Sequence, residues 1–195
     1  MNQKPMNSEG TLLEPAIPME GKLRLLSLYL DYAAALRARQ AAHRVTRLAG
    51  KSWKVTAEMW DLNSLTAGNG IRKLILQGAA DSDVLIVTMS SLARREAELV
   101  QWLDEVAAVQ AQRAASGLLI GLLGDEENRA GELDWTVKQF RRCARQMDRD
   151  FSWYWMEAGV TESSDWLADS VAALLGRKQP VNGATCWQES IVGAA

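Results

Sequence analysis

Ala79–Ser91 reads AADSDVLIVTMSS, and the fold of the chain follows from this stretch. Its centre, Val84–Val87, is apolar with no alternation of polar residues, and such a run is typical of a strand that is covered on both faces. A strand of this kind lies in the middle of a parallel sheet, which needs helices on both sides. The polar exit, Ser90 and Ser91, marks the edge of the sheet at which the strand ends.

The chain on either side of this strand repeats a strand-then-helix order five times. The predicted strands are 23–30, 53–60, 83–88, 117–123 and 151–156. The predicted helices are 33–48, 71–80, a long one ending near 112, one through 133–147 and a last one beginning near 164. This order predicts one α/β domain over residues 21–176, with a five-stranded parallel sheet in the order 2-1-3-4-5 between two helical layers. We expect residues 1–20 to form a flexible arm and residues 177–195 a C-terminal tail.

The overall composition excludes several classes of protein. The 195 residues carry a net charge of −2 and are 48% hydrophobic, which gives no reason to expect nucleic-acid binding. No apolar run reaches the roughly 18 residues that a membrane span requires, and the N-terminus lacks the layout of a signal peptide. Two cysteines are too few for a disulfide framework. We therefore expect a cytoplasmic protein without membrane or nucleic-acid partners.

Ligands of open parallel sheets bind beyond the carboxyl ends of the strands, beside the point where the strand order reverses. In this chain the residues at that edge are mostly acidic or hydroxyl-bearing, with no lysine or arginine expected beside them. They are Asp31 and Tyr32 after the first strand, Asp61 after the second, Ser90 and Ser91 after the third, and Asp125 and Glu126 after the fourth. A magnesium site at Asp31, Asp61 and Asp125 is one alternative, because hard cations prefer oxygen ligands. No metal-binding motif is present.

This layout resembles the receiver domains of response regulators, which share the order of elements over residues 22–176 and place acidic residues at the same edge. The resemblance implies a receiver-like or flavodoxin-like fold. Receivers carry a phosphoryl-accepting aspartate after the third strand, where this chain has Ser90, and a lysine after the fifth, where it has Glu157. Phosphoryl transfer needs that nucleophile and those cations. The resemblance therefore implies a receiver-like module that does not transfer phosphoryl groups.

The chain is also similar to a group of uncharacterised bacterial proteins of about this size. The shared features are an acid after the first strand (Asp31), a W-x-x-x-x-L element (Trp60–Leu65), an aspartate-rich approach to the central strand (Ala79–Val87) and a [VL]-x-x-W-L helix (Leu99–Leu103). This resemblance implies the fold and no particular reaction. It also implies that Trp60 and Trp102 are packing residues.

Flavodoxins offer a further comparison, because they bind a flavin phosphate in the loop after the first strand. That loop needs hydroxyls and glycines whose backbone N–H groups surround the phosphate at a helix N-terminus. Here the corresponding residues, Asp31–Ala35, read DYAAA and contain neither. The carboxylate would repel the phosphate, so no cofactor is predicted.

Two functions are consistent with the sequence. The first is a non-catalytic, receiver-like interaction or regulatory module whose partner is another protein, with a homo-oligomer as a further alternative. Its candidate partner surface is the basic first helix, with Arg37, Arg44, Arg47 and Lys51. The alternative is a small-ligand enzyme of the N-glycosidase class acting on NAD or nucleosides. In that enzyme Glu96 or Glu98 of the third helix would stabilise an oxocarbenium-like centre.

Overall fold

The computed structural model describes residues 21–66, 68–89, 95–111, 116–124, 130–155 and 165–178. Five strands alternate with five α-helices along the chain. The strands are β1 (Gly21–Tyr29), β2 (Trp53–Asp61), β3 (Val84–Met89), β4 (Gly117–Leu123) and β5 (Arg149–Trp155). The helices are α1 (Tyr32–Ala49), α2 (Asn69–Asp81), α3 (Glu96–Gln110), α4 (Ala130–Gln146) and α5 (Asp165–Lys178), and a short 3-10 helix, Leu62–Thr66, follows β2.

The five strands form one parallel sheet in the order β2-β1-β3-β4-β5, which confirms the predicted α/β fold and strand order. Every side chain of β3 and of β4 is buried. The apolar runs in these two strands have no polar alternation because both of their faces are covered by helices. The Val84–Val87 run is therefore at the centre of the sheet, as its composition predicts.

Two hydrophobic layers lie on the two faces of the sheet. The layer formed with α2, α3 and α4 contains Ile75, Trp102 and Phe140, all fully buried. The layer formed with α1 and α5 contains Val45 and Val171, also fully buried. Helix α3 buries Trp102, which is a packing residue of the core as predicted.

Helix α1 begins and ends at residues whose chemistry favours those positions. Asp31 is the N-cap, and its carboxylate accepts a hydrogen bond from the backbone N–H of Ala34 at 2.8 Å. Gly50 is the C-cap, with φ of 73°, a conformation that favours glycine. Among the described residues, no helix is both long enough and apolar enough to cross a membrane.

The structure differs from the sequence-based expectation in α2 and in β5. Periodicity predicts that Ile71, Leu74 and Ile75 form one buried face, but only Ile75 is buried, and Leu74 is 65% exposed. Beside α2 lies the edge strand β2, which offers less surface to cover this helix than a central strand would. Strand β5 begins at Arg149 and not at Phe151, because Arg149 and Asp150 already pair with Gly117 and Leu118 of β4.

Candidate functional site

The strand order reverses between β1 and β3, and this reversal creates a crevice at the carboxyl ends of the two strands. They are neighbours in the sheet, with Tyr29 opposite Thr88. The helix that follows β1 covers one face of the sheet, and the helix that follows β3 covers the other. In open α/β sheets such a crevice is where ligands bind.

Asp31 stands at this crevice, directly after β1. Its carboxylate is used locally, since Oδ1 caps the first turn of α1 through the N–H of Ala34. The preceding residue, Leu30, donates its backbone N–H to the carbonyl of Thr88 at 3.2 Å, which joins the β1 exit to β3. A negative side chain therefore occupies the N-terminus of α1, where an anionic ligand would otherwise be favoured.

Tyr32 is the neighbouring candidate residue and the first residue of α1. Its side chain is 80% exposed, more than any other large hydrophobic side chain among the described residues. An exposed aromatic ring beside a ligand crevice provides a flat apolar surface with a hydroxyl at its end. Asp31 and Tyr32 thus place a charge and a ring side by side.

A second set of polar side chains joins the end of β2 to the start of α3 through hydrogen bonds. The carboxylate of Asp61 accepts from the backbone N–H of Asn63 at 2.7 Å, and the side-chain oxygen of Asn63 accepts from the Arg95 guanidinium. Arg95 also donates to both carboxylate oxygens of Glu98, at 2.8 and 2.7 Å. The sequence predicts an edge without cations, but Arg95 neutralises part of its negative charge. The i, i+3 spacing of Arg95 and Glu98 is the signal for this pair.

The ion pair with Arg95 also affects the ionisation of the Glu98 carboxyl. Its hydrogen bond to Arg95 lowers the pKa of the Glu98 carboxyl, against a smaller opposing effect of burial. The same hydrogen bond raises the pKa of Arg95. Glu98 is thus a charged carboxylate with both oxygens bound to a guanidinium. The side chain of Glu96 lies outside the described residues.

The remaining predicted site residues are placed as follows. Ser90, Ser91, Asp125 and Glu126 lie outside the described residues. Within the described part of the chain, no group of three or more acidic, histidine or cysteine side chains could hold a metal ion. Along α1 and just beyond it, Arg47 and Lys51 are exposed, whereas Arg37 and Arg44 are partly buried.

A groove that the sequence analysis missed lies between β2 and α2, with a volume of about 470 Å³. Leu26 forms part of its floor, and Trp60, Leu74, Glu58 and Asp81 line it. The indole N–H of Trp60 donates to the carboxylate of Glu58 at 3.3 Å, so that ring and charge lie together. The alternation of Lys54, Thr56, Glu58 and Trp60 along β2 is the signal that one face of this strand is poorly covered.

Comparison with known proteins finds similarity at the level of structure only. No family model and no curated protein matches the sequence. A flavodoxin from Streptococcus pneumoniae TIGR4 is 10% identical, with a TM-score of 0.47, over 80% of this chain and 99% of that one. A short-chain flavodoxin associated with a non-canonical PDU bacterial microcompartment is 11% identical, with a TM-score of 0.48 and the same coverage. The NAD(P)H:quinone oxidoreductase of Methanothermobacter marburgensis is 12% identical, with a TM-score of 0.42, over 81% and 96%.

The five-stranded parallel sheet in the order β2-β1-β3-β4-β5 is that of a flavodoxin-like fold, and the function predicted from sequence is corrected. The expectation of a non-catalytic, receiver-like interaction module is wrong, because the similar structures include flavodoxins and an oxidoreductase. The N-glycosidase alternative is wrong as well. Its candidate Glu98 is also held on both oxygens by Arg95 and so is poorly placed to stabilise a cationic sugar centre.

Proposed function

We propose that this chain binds a planar aromatic small molecule of the flavin-ring class in the crevice between β1 and β3. The observation that carries the proposal is the exposed ring of Tyr32 at the point where the strand order reverses. Stacking between aromatic rings contributes about 0.5–1.5 kcal/mol beyond the area that it buries. Tyr32 supplies this contact without rearrangement of the fold.

Asp31 limits the kind of ligand that fits. Its carboxylate already accepts the N–H of Ala34, the donor that a phosphate at this helix N-terminus would use. The residues therefore do not fit a flavin whose phosphate sits on α1, the arrangement of a flavodoxin. They fit a ring system that carries no phosphate at this point and is neutral or positively charged.

The proposal rests on Asp31, Tyr32 and the strand order, and not on the distant structural similarities. A flavin ring held there would supply electron transfer, which the chain's own side chains do not provide. The chain's contribution is to hold the ring against Tyr32 and to exclude anionic groups from α1. Membership of the uncharacterised bacterial group resembling this chain at Trp60–Leu65 and Leu99–Leu103 stays a prediction.

Titration of the protein into riboflavin and, separately, into flavin mononucleotide tests the proposal through the quenching of flavin fluorescence. We expect riboflavin to bind and the phosphorylated flavin to bind more weakly, since the phosphate meets the Asp31 carboxylate. Tyr32→Ala should weaken riboflavin binding roughly 2- to 12-fold, and Tyr32→Phe should leave it nearly unchanged. Leu48→Ala is the matched control, because Leu48 is an exposed side chain at the opposite end of α1.

The variant Asp31→Ser removes the negative charge of residue 31 but keeps a side chain that can cap the helix. Serine caps a helix about as well as aspartate, so α1 should keep its stability while the negative charge is lost. The preference for riboflavin over the phosphorylated flavin should then shrink. Absence of quenching by either flavin, or tighter binding of the phosphorylated form to the unaltered chain, would contradict the proposal.

A further inference from the structure

We propose that two copies of this chain associate through their β2 strands, which pair antiparallel about a two-fold axis at Ala57 and extend the sheet across the dimer. Strand β2 is an edge of the sheet, and no strand of the described residues pairs with its outer side. The side chains of Thr56, Ala57, Glu58 and Met59 are all exposed, on both faces of the strand. A long exposed edge of this kind is a template for pairing with another strand.

The hydrogen bonds of the sheet show which backbone groups of β2 point outward. The backbone of Arg24 bonds toward β3, because its carbonyl accepts from the N–H of Asp83 at 2.8 Å. Successive residues of a strand direct their backbone groups to alternate sides, so odd-numbered residues of β1, such as Leu25, bond toward β2. Leu25 lies opposite Ala57 in this parallel pair. In a parallel pair the residue opposite a bonding residue directs its own N–H and C=O away, and Ala57 therefore presents both at the free edge.

A perpendicular two-fold axis at Ala57 suits this pattern. In an antiparallel pair of strands, two residues that exchange hydrogen bonds lie directly opposite each other. With the axis at Ala57, each Ala57 faces its own copy, and Val55 faces Met59 of the second copy. All three residues direct their backbone N–H and C=O groups to the free edge, because they are odd-numbered residues of β2, as Ala57 is. The two-fold also keeps each side chain on its own face of the extended sheet.

The charges of β2 complement each other in this antiparallel register. On the face toward α2, Lys54 lies opposite Trp60 of the second copy and diagonally next to its Glu58. Cross-strand neighbours at these positions are within reach of long side chains. Trp60 and Glu58 line the groove between β2 and α2, which is a suitable site for a lysine ammonium through ring and carboxylate contacts.

In the single chain, Lys54 lacks such a partner among the described residues. Its direct neighbour on β1 is Lys22, and the next residue on that face is Arg24. Like charges directly opposite in adjacent strands are destabilising. A lysine on an edge strand ordinarily discourages pairing, but here the antiparallel register brings it to a carboxylate of the other copy. These features favour a second copy of the chain as the occupant of the edge.

Measurement of molar mass by light scattering during gel filtration, using the full chain over a range of concentrations, tests the proposal. We expect twice the chain mass of 21.5 kDa at high concentration. Lys54→Glu should weaken the dimer roughly 2- to 30-fold, because two like-charge pairs replace two opposite-charge pairs. The combined change Lys54→Glu with Glu58→Lys should restore the dimer. Arg141→Glu, at an exposed position on α4, is the matched control.

Ala57→Pro tests the backbone pairing directly. The outward N–H of Ala57 is not used by β1, so a proline here suits an edge strand, and circular dichroism should show a folded chain. We expect this variant to be monomeric. A monomer mass at all concentrations for the unaltered chain would overturn the proposal, as would a dimer that survives Ala57→Pro and the charge change.

Hydrogen exchange distinguishes a second copy from other occupants of the edge. We expect the amides of Val55, Ala57 and Met59 to become protected as the concentration rises through the dimerisation range. Protection of these amides at concentrations where the mass is that of a monomer would mean that another part of the same chain covers the edge. That outcome would also overturn the proposal.

Discussion

Cys143 shows how burial controls the chemistry of a single side chain. Its thiol is fully buried on α4, with Sγ 3.5 Å from a carboxylate oxygen of Asp104. Burial, and then the negative charge of Asp104, raises the pKa of the Cys143 thiol to about 12. The thiol is therefore neutral at ordinary pH, which agrees with a packing role and not with a nucleophile.

This pKa predicts a specific dependence of stability on pH. The thiol of the unfolded chain ionises near pH 9, and that of the folded chain only near pH 12. A folded-state pKa above the unfolded one stabilises the fold fully below pH 9, and this contribution is lost as pH rises toward 12. The loss has a slope of up to about 1.4 kcal/mol for each pH unit.

Urea unfolding of the unaltered chain and of Cys143→Ala at several pH values measures the effect. All other side chains are the same in both proteins, so the difference between the two proteins isolates the thiol. We expect the free energy of unfolding of Cys143→Ala to fall less steeply between pH 9 and pH 11. Equal slopes in the two proteins would show that the thiol is not shifted.

The space around a glycine decides whether its strand or helix can accept a larger side chain, as the glycines of β4 and α5 show. Gly117 begins β4 beside the start of β3, and an added Cβ would lie 2.9 Å from the backbone oxygen of Asp83 and 3.2 Å from the guanidinium of Arg149. The Asp83 oxygen already accepts from the N–H of Leu118 at 2.8 Å and so is not free to move. Gly176 lies in α5 with nothing near its Cβ position.

The two glycines therefore predict opposite effects of the same substitution. Gly117→Ala should lower the free energy of unfolding by about 1–3 kcal/mol, because β4 and β3 must separate. Gly176→Ala should raise it by about 0.5–1 kcal/mol, since alanine is the better helix former. Chemical denaturation of both variants alongside the unaltered chain checks the pair. A stabilising Gly117→Ala would mean that the amino end of the sheet has room for a methyl group between β3 and β4.

At the scale of the whole molecule, the two ends of the sheet differ in structure, because one is open and the other is closed by buried contacts. The carboxyl end presents Asp31 and Tyr32 to solvent. The amino end is closed around the buried Arg149, whose guanidinium donates to the carbonyls of Ala79 and Ser82 at 2.8 Å and to Gln110 at 2.9 Å. Gln110 in turn donates to the carbonyl of Met147. One cation thus joins α2, α3 and β5.

Arg149→Met should lower the free energy of unfolding by about 2–5 kcal/mol, because the carbonyls of Ala79 and Ser82 and the Gln110 amide lose buried partners. Arg141→Met, at an exposed position on α4, should change it by less than about 0.5 kcal/mol. Urea unfolding followed by circular dichroism measures both. A loss no larger than that of the control would mean that water or neighbouring groups replace the guanidinium.

Burial also lowers the pKa of the Arg149 guanidinium, but the group keeps its charge. Loss of hydration lowers the pKa of Arg149 to about 10, against an opposing effect of the Asp83 carboxylate. Asp83 is itself paired with Lys178 of α5, at 2.6 Å. The amino end is thus a connected set of charges in which Arg149 stays protonated near neutral pH.

The architecture of the protein follows from its amino-acid sequence alone. The apolar run of Val84–Val87 requires cover on both faces, and the repeated strand-helix order permits few arrangements, so the sheet and its order follow from local pattern and connection rules. The cap at Asp31 and the helix end at Gly50 also follow from local chemistry. The Asp31 carboxylate in the DYAAA segment likewise indicates, from residue chemistry alone, that a phosphate does not fit on α1.

Which side chains share a neighbourhood depends instead on tertiary packing. The pairing of Arg95 with Asn63 joins residues 32 positions apart, and the contacts of Arg149 span about twice that distance along the chain. The exposure of Leu74 and the groove beside Trp60 depend on how far α2 lies over the edge strand. Periodicity describes the faces of one element, whereas these features arise where two elements meet, and their packing is not encoded in either element alone.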